Sequence, residues 1–229
     1  MKDIHPFQLE ILQKLLYSDG LPYSKLKPRD MEGSKFTFHL EQLINSKFIL
    51  KLVRKYHLSD TGKELANRMD LGDDKVQTQA KVSVIMVCKR RVGNKISLLL
   101  YSRLKSPFYG YQGFPTGKVK KGEDILVAAR RELKEETNLV GEPELFSIQH
   151  YKIYDEEKIL LEDRIFFVCR FVNPKGDLKS GIEGDYAWVE KSKIWNFLKK
   201  PVKEIEGIIK IMDSSKLSFV EKSYTTKGF

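Results

Sequence analysis

Residues 117–139 read GKVKKGEDILVAARRELKEETNL. The stretch puts Glu132, Glu135 and Glu136 on an expected helix directly after a Gly-containing loop. Side chains three and four apart are neighbours on a helix, so at ~100° per residue the three carboxylates share about 100° of arc. Like charges at that spacing repel by ~0.2–0.5 kcal/mol per pair. A cluster of hard oxygen ligands that costs stability when empty is what a divalent cation such as Mg2+ requires.

The phase of the helix sharpens the point. With Glu132 at 0°, Ile125, Leu126, Ala129 and Leu133 fall between about 20° and 120°, a stripe expected to face a core. Arg130, Arg131 and Lys134 fall between about 160° and 260°, the expected solvent side. The glutamates lie between about −60° and 40°, at the margin of the buried stripe. A plain surface helix would mix its acids with its lysines on the far face. The competing reading is a solvated acidic run, with Arg131 and Glu135 as an i,i+4 ion pair.

This stretch resembles the Nudix box, G-x5-E-x7-R-E-U-x-E-E-x-G-U, in which U is a bulky apolar residue. Gly117, Glu123, Arg131, Glu132, Leu133, Glu135, Glu136 and Leu139 match at the required spacing. With residue frequencies near 7%, the six non-apolar matches would coincide at one start position roughly once in 10^7. Asn138 stands where the box has its last Gly. A left-handed residue usually ends a helix there, and Asn is the next-best residue for it. Thr116 follows Phe114-Pro115, where many family members carry another Gly; the change alters how closely the loop backbone approaches a metal or phosphate.

The resemblance implies an α+β fold: a Nudix-type α/β/α sandwich with a mixed sheet over residues 81–212. It implies hydrolysis of a nucleoside diphosphate linked to another group, with Mg2+ as cofactor and Mn2+ as the alternative ion. Glu132, Glu135 and Glu136 would be the metal ligands, one of them also able to act as base. The Gly117 region would supply a backbone carbonyl ligand, and Arg131 would orient a carboxylate. Glu123 begins the expected helix, where the dipole favours an acid, and takes a supporting or outer metal role. The chemistry has its own logic: metal ions neutralise phosphate oxygens and lower the pKa of a bound water.

The chain has 229 residues, enough for one large domain or two ordinary ones. Its longest apolar runs, such as residues 82–88, are too short to span a bilayer, and the N-terminus lacks the apolar core of a signal peptide. The two cysteines, Cys88 and Cys169, lie in apolar strand-like runs and are expected as reduced core thiols. A cytoplasmic protein with no membrane partner is the expectation. The net charge of +10 favours polyanionic partners such as nucleotides or nucleic acid. It divides as +3 over residues 1–72 and +7 over the rest, so it is not concentrated at the N-terminus.

Residues 1–72 have a mainly helical pattern. Helices are expected over residues 5–17, 24–26 and from 34 onward, then two short strands at 48–53 and 56–58 around Arg54-Lys55, and a last helix through Met69. This order resembles a small winged helix-turn-helix domain. The resemblance puts Ser34, Lys35, Thr37 and Phe38 at the front of a recognition helix, able to meet the major groove of double-stranded DNA. Arg54 and Lys55 at the wing tip would contact phosphate or the minor groove. Winged-helix regulators commonly bind as dimers, so a homodimer is one assembly the resemblance allows. The other reading is that this module docks on protein. Residues 73–80 are expected as a linker.

In the remainder, strands are expected at 82–88 and 96–101, paired across the Val92-Gly93-Asn94 turn, and at 145–154, 164–172 and 186–189. Helices are expected at 192–198 and 202–212, and the tail 213–229 has no assignment. Arg103, Tyr111 and Phe114 precede the box, as does Tyr109, and are candidates to touch substrate. Glu183 and Asp185 are candidates for a further acid from a later loop, with a solvated loop acid as the plainer reading. His39, His57 and His150 show no triad or zinc pattern.

The segment GYQGFPTGK at residues 110–118 resembles the lead-in of nucleoside-triphosphate-cleaving members, which tilts the substrate towards a nucleotide or oxidised nucleotide. The signatures of ADP-ribose, NADH and coenzyme A enzymes are not evident. Three functions stay open: a Mg2+-dependent hydrolase with an appended winged helix, a transcriptional regulator whose Nudix domain senses a nucleotide, and an RNA-processing enzyme. All acidic box positions are kept, which favours hydrolysis.

Overall fold

The computed structural model describes residues 4–69 and 76–227. The expected border at 72/73 and the first part of the 73–80 linker lie outside those residues. The chain forms two units, Met1–Gln79 and Ala80–Phe229.

In the first unit the order is α1 (Pro6–Leu16), α2 (Tyr23–Leu26), α3 (Gly33–Asn45), β1 (Ile49–Leu52), β2 (Lys55–Leu58) and α4 (Asp60–Ala66). Local chemistry sets the ends. Pro6 opens α1, where its missing N–H is no loss. Ser59 caps α4 by accepting from the Gly62 amide at 2.9 Å. β1 and β2 form an antiparallel hairpin, with Leu52 opposite Lys55. Leu9, Leu12 and Leu15 of α1, Phe36, Leu40 and Leu43 of α3, and Ile49 close one apolar core. The unit is thus a helical region with a β-hairpin.

The second unit is built on a mixed eight-stranded sheet. Its elements are β3 (Lys81–Val92), β4 (Lys95–Arg103), β5 (Gln112–Gly113), β6 (Thr116–Lys118), α5 (Ile125–Thr137), β7 (Pro143–Tyr154), β8 (Leu160–Val172), β9 (Gly184–Glu190), α6 (Ile194–Phe197), α7 (Ile205–Ile211) and β10 (Ser218–Thr225). The main path runs β10-β7-β8-β3-β4-β5, with β6 on β3 and β9 on β4. The β3–β8 and β7–β10 pairs are parallel; the other pairs are antiparallel.

β3 explains why its sequence is a continuous apolar run: both faces are covered. Val84, Met86 and Cys88 face a core shared with Ala128, Ala129 and Leu133 of α5. Ile85 and Val87 face the opposite core, with Ile194, Leu198, Ile205 and Ile208 from the C-terminal helices. This alternation gives an α/β/α arrangement with the box helix on one side of the sheet. Both cysteines are free and buried, and burial pushes both thiols up.

Two details depart from the sequence reading. Leu126 is 37% exposed and outside the core, whereas Ile125 packs against it and the fully buried positions of α5 begin at Ala128. The unassigned tail forms β10, which adds an edge to the sheet in register with β7. Among the described residues, no helix is long and apolar enough to cross a membrane.

Candidate active site

The loop before α5 and the helix itself are held together by Arg131. Its Nε and Nη2 grip both oxygens of Glu123 at 2.7 and 2.8 Å. Its Nη1 reaches Glu132 Oε1 at 2.8 Å and Glu135 Oε2 at 2.9 Å, and Nη2 also donates to the Lys118 carbonyl at 2.9 Å. The i,i+4 pair of the competing reading therefore exists, but as one arm of a larger cluster. Arg131 does not point to solvent as the helical phase suggested, because three acids draw its planar fork back over the loop. The guanidinium and the Lys120 amide hold the Glu123 carboxyl down to about 2. Glu123 lies just before α5, whose N-cap is Asp124, rather than in the helix.

Glu132 is the buried member of the trio, 8% exposed. Besides Arg131 it accepts from the Lys118 amide at 3.1 Å. Gly117 is required here by space: a Cβ would sit 2.1 Å from Glu132 Cγ. The fifteen-residue interval between Gly117 and Glu132 in the motif is thus a close approach of backbone to carboxylate. Glu135 is exposed and Glu136 half-buried. Asn138 ends α5 in the left-handed conformation at φ 62°, as its chemistry allows. Its side chain also ties the helix end to the next loop through the Asp177 carbonyl at 3.0 Å.

Glu136 has a partner that the sequence did not single out. The Tyr186 hydroxyl donates to Glu136 Oε2 at 2.5 Å. Burial and the adjacent carboxylate push the Tyr186 phenol up, so it stays a donor. Tyr186 stacks on Tyr101, with centroids 6.0 Å apart. It lies on β9 next to Asp185; its signal was a place in a short strand, too weak to find it.

One oxygen of each glutamate is thereby engaged by protein. Among the described residues, the carboxylates do not form a closed cluster of three metal ligands. The donor set still suits Mg2+: hard oxygens on adjacent turns, aligned by a cation that is not itself a ligand.

A cavity of about 410 Å3 begins beside the box, at Thr116. Arg103 and Tyr111 line it. Arg103 Nε donates to the Pro107 carbonyl at 2.6 Å, and Tyr111 packs edge-on to Phe108 and under Lys200 Nζ at 4.2 Å. Phe114 is a correction: at 3% exposed it belongs to the core, because β5 and β6 turn it inward against the C-terminal helices. Tyr109 is 62% exposed and is not part of the lining. Glu183 pairs with Lys105, while Asp185 is exposed. The far wall comes from residues 199–204, fastened where Gln112 exchanges backbone bonds with Lys200 and Val202, each at 2.8 Å. Sequence reasoning missed this wall entirely.

In the first unit Ser34, Lys35 and Phe38 are exposed on α3, and Arg54 and Lys55 are exposed at the hairpin. Thr37 is half-buried and bonds the Tyr23 hydroxyl at 3.0 Å. His39 is buried, His57 half-buried, and His150 bridges two acids.

Comparison with known proteins agrees with this geometry. The chain matches no curated protein. The MutT protein of Bacillus halodurans is similar in structure, at 24% identity and a TM-score of 0.54, covering 65% of this chain and 93% of that one. So is the Nudix domain of Shewanella oneidensis NrtR, solved with ADP-ribose, at 16% identity and a TM-score of 0.50, covering 67% and 96%. At such identities the likeness is one of fold. The NUDIX domain pattern itself matches residues 78–208, more than half of the chain, and the protein belongs to the Nudix family.

Proposed function

We propose that the protein is a Mg2+-dependent pyrophosphohydrolase acting on a nucleoside diphosphate linked to another group, with nucleoside triphosphates or oxidised nucleotides as the first class to test. The observation that carries this reading is the glutamate trio held at fixed spacing on α5 by Arg131 and Tyr186; a cavity with cationic and aromatic walls includes Thr116, the residue before Gly117. Glu132, Glu135 and Glu136, with the backbone carbonyl at Gly117, would hold Mg2+ or Mn2+. When bound, the ion neutralises phosphate charge and lowers the pKa of a coordinated water. Arg131 keeps two of the glutamates in place and Tyr186 keeps the third. Arg103 and Lys200 offer charge to the phosphates, and Tyr111 offers a flat face.

The test is phosphate or pyrophosphate release from nucleoside triphosphates, oxidised nucleotides, ADP-ribose, NADH and dinucleoside polyphosphates, with Mg2+ or Mn2+ and a Glu136→Gln control. Metal-dependent turnover that the control loses supports the reading. No turnover across the panel, with ligand still bound, sinks it.

That second result would favour a nucleotide-sensing regulator. Its support is the helix-and-hairpin order of the first unit, joined to a domain of the same fold as that of NrtR. In this reading Ser34, Lys35, Thr37, Phe38, Arg54 and Lys55 meet double-stranded DNA, and the assembly is a homodimer.

A further inference from the structure

Two turns, one in each unit, carry exposed apolar side chains beside charges of opposite sign. In the first unit, Leu50, Leu52 and Val53 of the β1–β2 hairpin are 46, 55 and 95% exposed. Leu50 and Leu52 are two apart on β1 and so share a face. Val53 lies in the two-residue turn between Leu52 and Lys55, at φ 55°. That left-handed position usually takes Gly or Asn, and a β-branched residue rarely adopts it. An apolar tip held against local preference points to a contact made by the tip. Around it stand Lys47, Lys51, Arg54 and Lys55, all exposed, with no acid between Glu41 and Asp60.

In the second unit, the turn between β7 and β8 has the opposite charge. Asp155, Glu156 and Glu157 form a run of three consecutive acids, followed by the cation Lys158. Asp155 is spent on the turn itself, accepting from the Ile159 amide at 2.7 Å. Glu156 and Glu157 are exposed, with Lys227 3.1 Å from Glu156. Beside them, Ile159 and Leu160 are 56 and 47% exposed.

We propose that these turns form one interface between two copies of the chain, in which the basic hairpin of each copy takes the acidic β7–β8 turn of the other. Arg54 and Lys55 meet Glu156 and Glu157, while Ile159 and Leu160 cover Leu50, Leu52 and Val53. Charge chooses the occupant. A second hairpin of the same kind would set cations against cations, and duplex DNA would leave the apolar groups without a partner. The acidic turn answers both features. The exchange is reciprocal, so a two-fold axis closes it and doubles the area that one hairpin end can bury. The interface does not depend on the hydrolase reading, and it takes Arg54 and Lys55 away from DNA.

The experiment is sedimentation of the full chain over a concentration series up to about 100 μM, which reaches micromolar dissociation constants. Wild type is expected to rise from 26.6 kDa towards twice that mass. The dimer weakens between about 0.1 M and about 1 M salt, as the screening length falls from ~10 Å to ~3 Å. Two charge reversals follow: Arg54→Glu with Lys55→Glu, and Glu156→Lys with Glu157→Lys. Each alone sets like charges across the contact and weakens the dimer by roughly tenfold or more. Mixing the two variants restores it, because each hairpin then meets a turn of opposite sign. Only a contact between chains is rescued by mixing; a misfolded variant or a contact within one chain is not. Val53→Gly tests the apolar tip. Glycine suits this φ, so the melting temperature holds while the dimer weakens. A wild type that stays monomeric, a dimer that salt, either reversal or Val53→Gly leaves intact, or a mixture that stays monomeric overturns the proposal.

Discussion

Arg131 answers the charge problem that neighbouring glutamates create. Like charges one turn apart repel, and here one guanidinium bonds Glu123, Glu132 and Glu135 together. The arrangement aligns the acids without consuming both oxygens of Glu132 or Glu135. Glu136 lies outside that network and relies on Tyr186. Two predictions belong to this scale. Glu135→Gln and Glu136→Gln should each lower turnover by roughly 100-fold or more, as for loss of one preorganised electrostatic group, with melting temperature little changed. Normal turnover in both variants would remove them from the metal site. Tyr186→Phe should raise the Mg2+ concentration for half-maximal activity about 10–100-fold, the usual effect of removing a partner that orients a ligand. An unchanged metal dependence would make Tyr186 a packing residue only.

At the scale of elements, β10 is the piece that completes the cavity, since it brings Tyr224 beside Tyr151 of β7. His150 of β7 fastens it, with Nδ1 2.8 Å from Glu221 of β10 and Nε2 2.6 Å from Asp163 of β8. Those two carboxylates raise the His150 pKa above 6.5, Asp163 contributing most. A raised folded-state pKa gives stability that is fully present below the unfolded value and is lost as pH rises through the folded value. Two part-exposed ion pairs are worth about 1 kcal/mol together, or about 2–4 °C of Tm in a domain of this size. His150→Gln should therefore melt about that much lower than wild type at pH 6, and the gap should close as the pH rises above the raised pKa. A gap that stays constant with pH would show that the clamp is not ionic. This strand also marks what sequence could not reveal. The α5 helix was legible because its chemistry fixes residue types at fixed intervals, down to the close approach that demands Gly117. β3 and β4 were legible because apolar runs flank a two-residue turn. β10 lies at a sheet edge with most of its side chains exposed, so residues 218–225 carry no apolar alternation to read. The cavity was illegible for another reason: its lining comes from β4, β7, β8, β10 and residues 199–204, and only the topology brings them together.

At the scale of the whole molecule, the open matter is what the first unit contacts. Its net charge is modest, +3 over residues 1–72. The expected groove-facing surface offers Lys35 on α3 and Arg54 and Lys55 at the hairpin, all exposed. Against DNA, three such cations give a slope of log affinity on log salt of about −3 per copy, since each neutralised phosphate contributes about −0.9. The double variant Lys35→Ala, Arg54→Ala should therefore weaken binding to any duplex and reduce that slope by about 2. The same hairpin also exposes Leu50, Leu52 and Val53, the last 95% exposed at its turn. Apolar groups of that kind gain nothing from phosphate, and they favour protein as the partner. Measuring duplex binding at several salt concentrations, for wild type and the double variant, decides between the two. A steep slope that the variant flattens assigns the unit to DNA; no binding even at low salt, or a slope the variant leaves unchanged, assigns the hairpin to a protein contact.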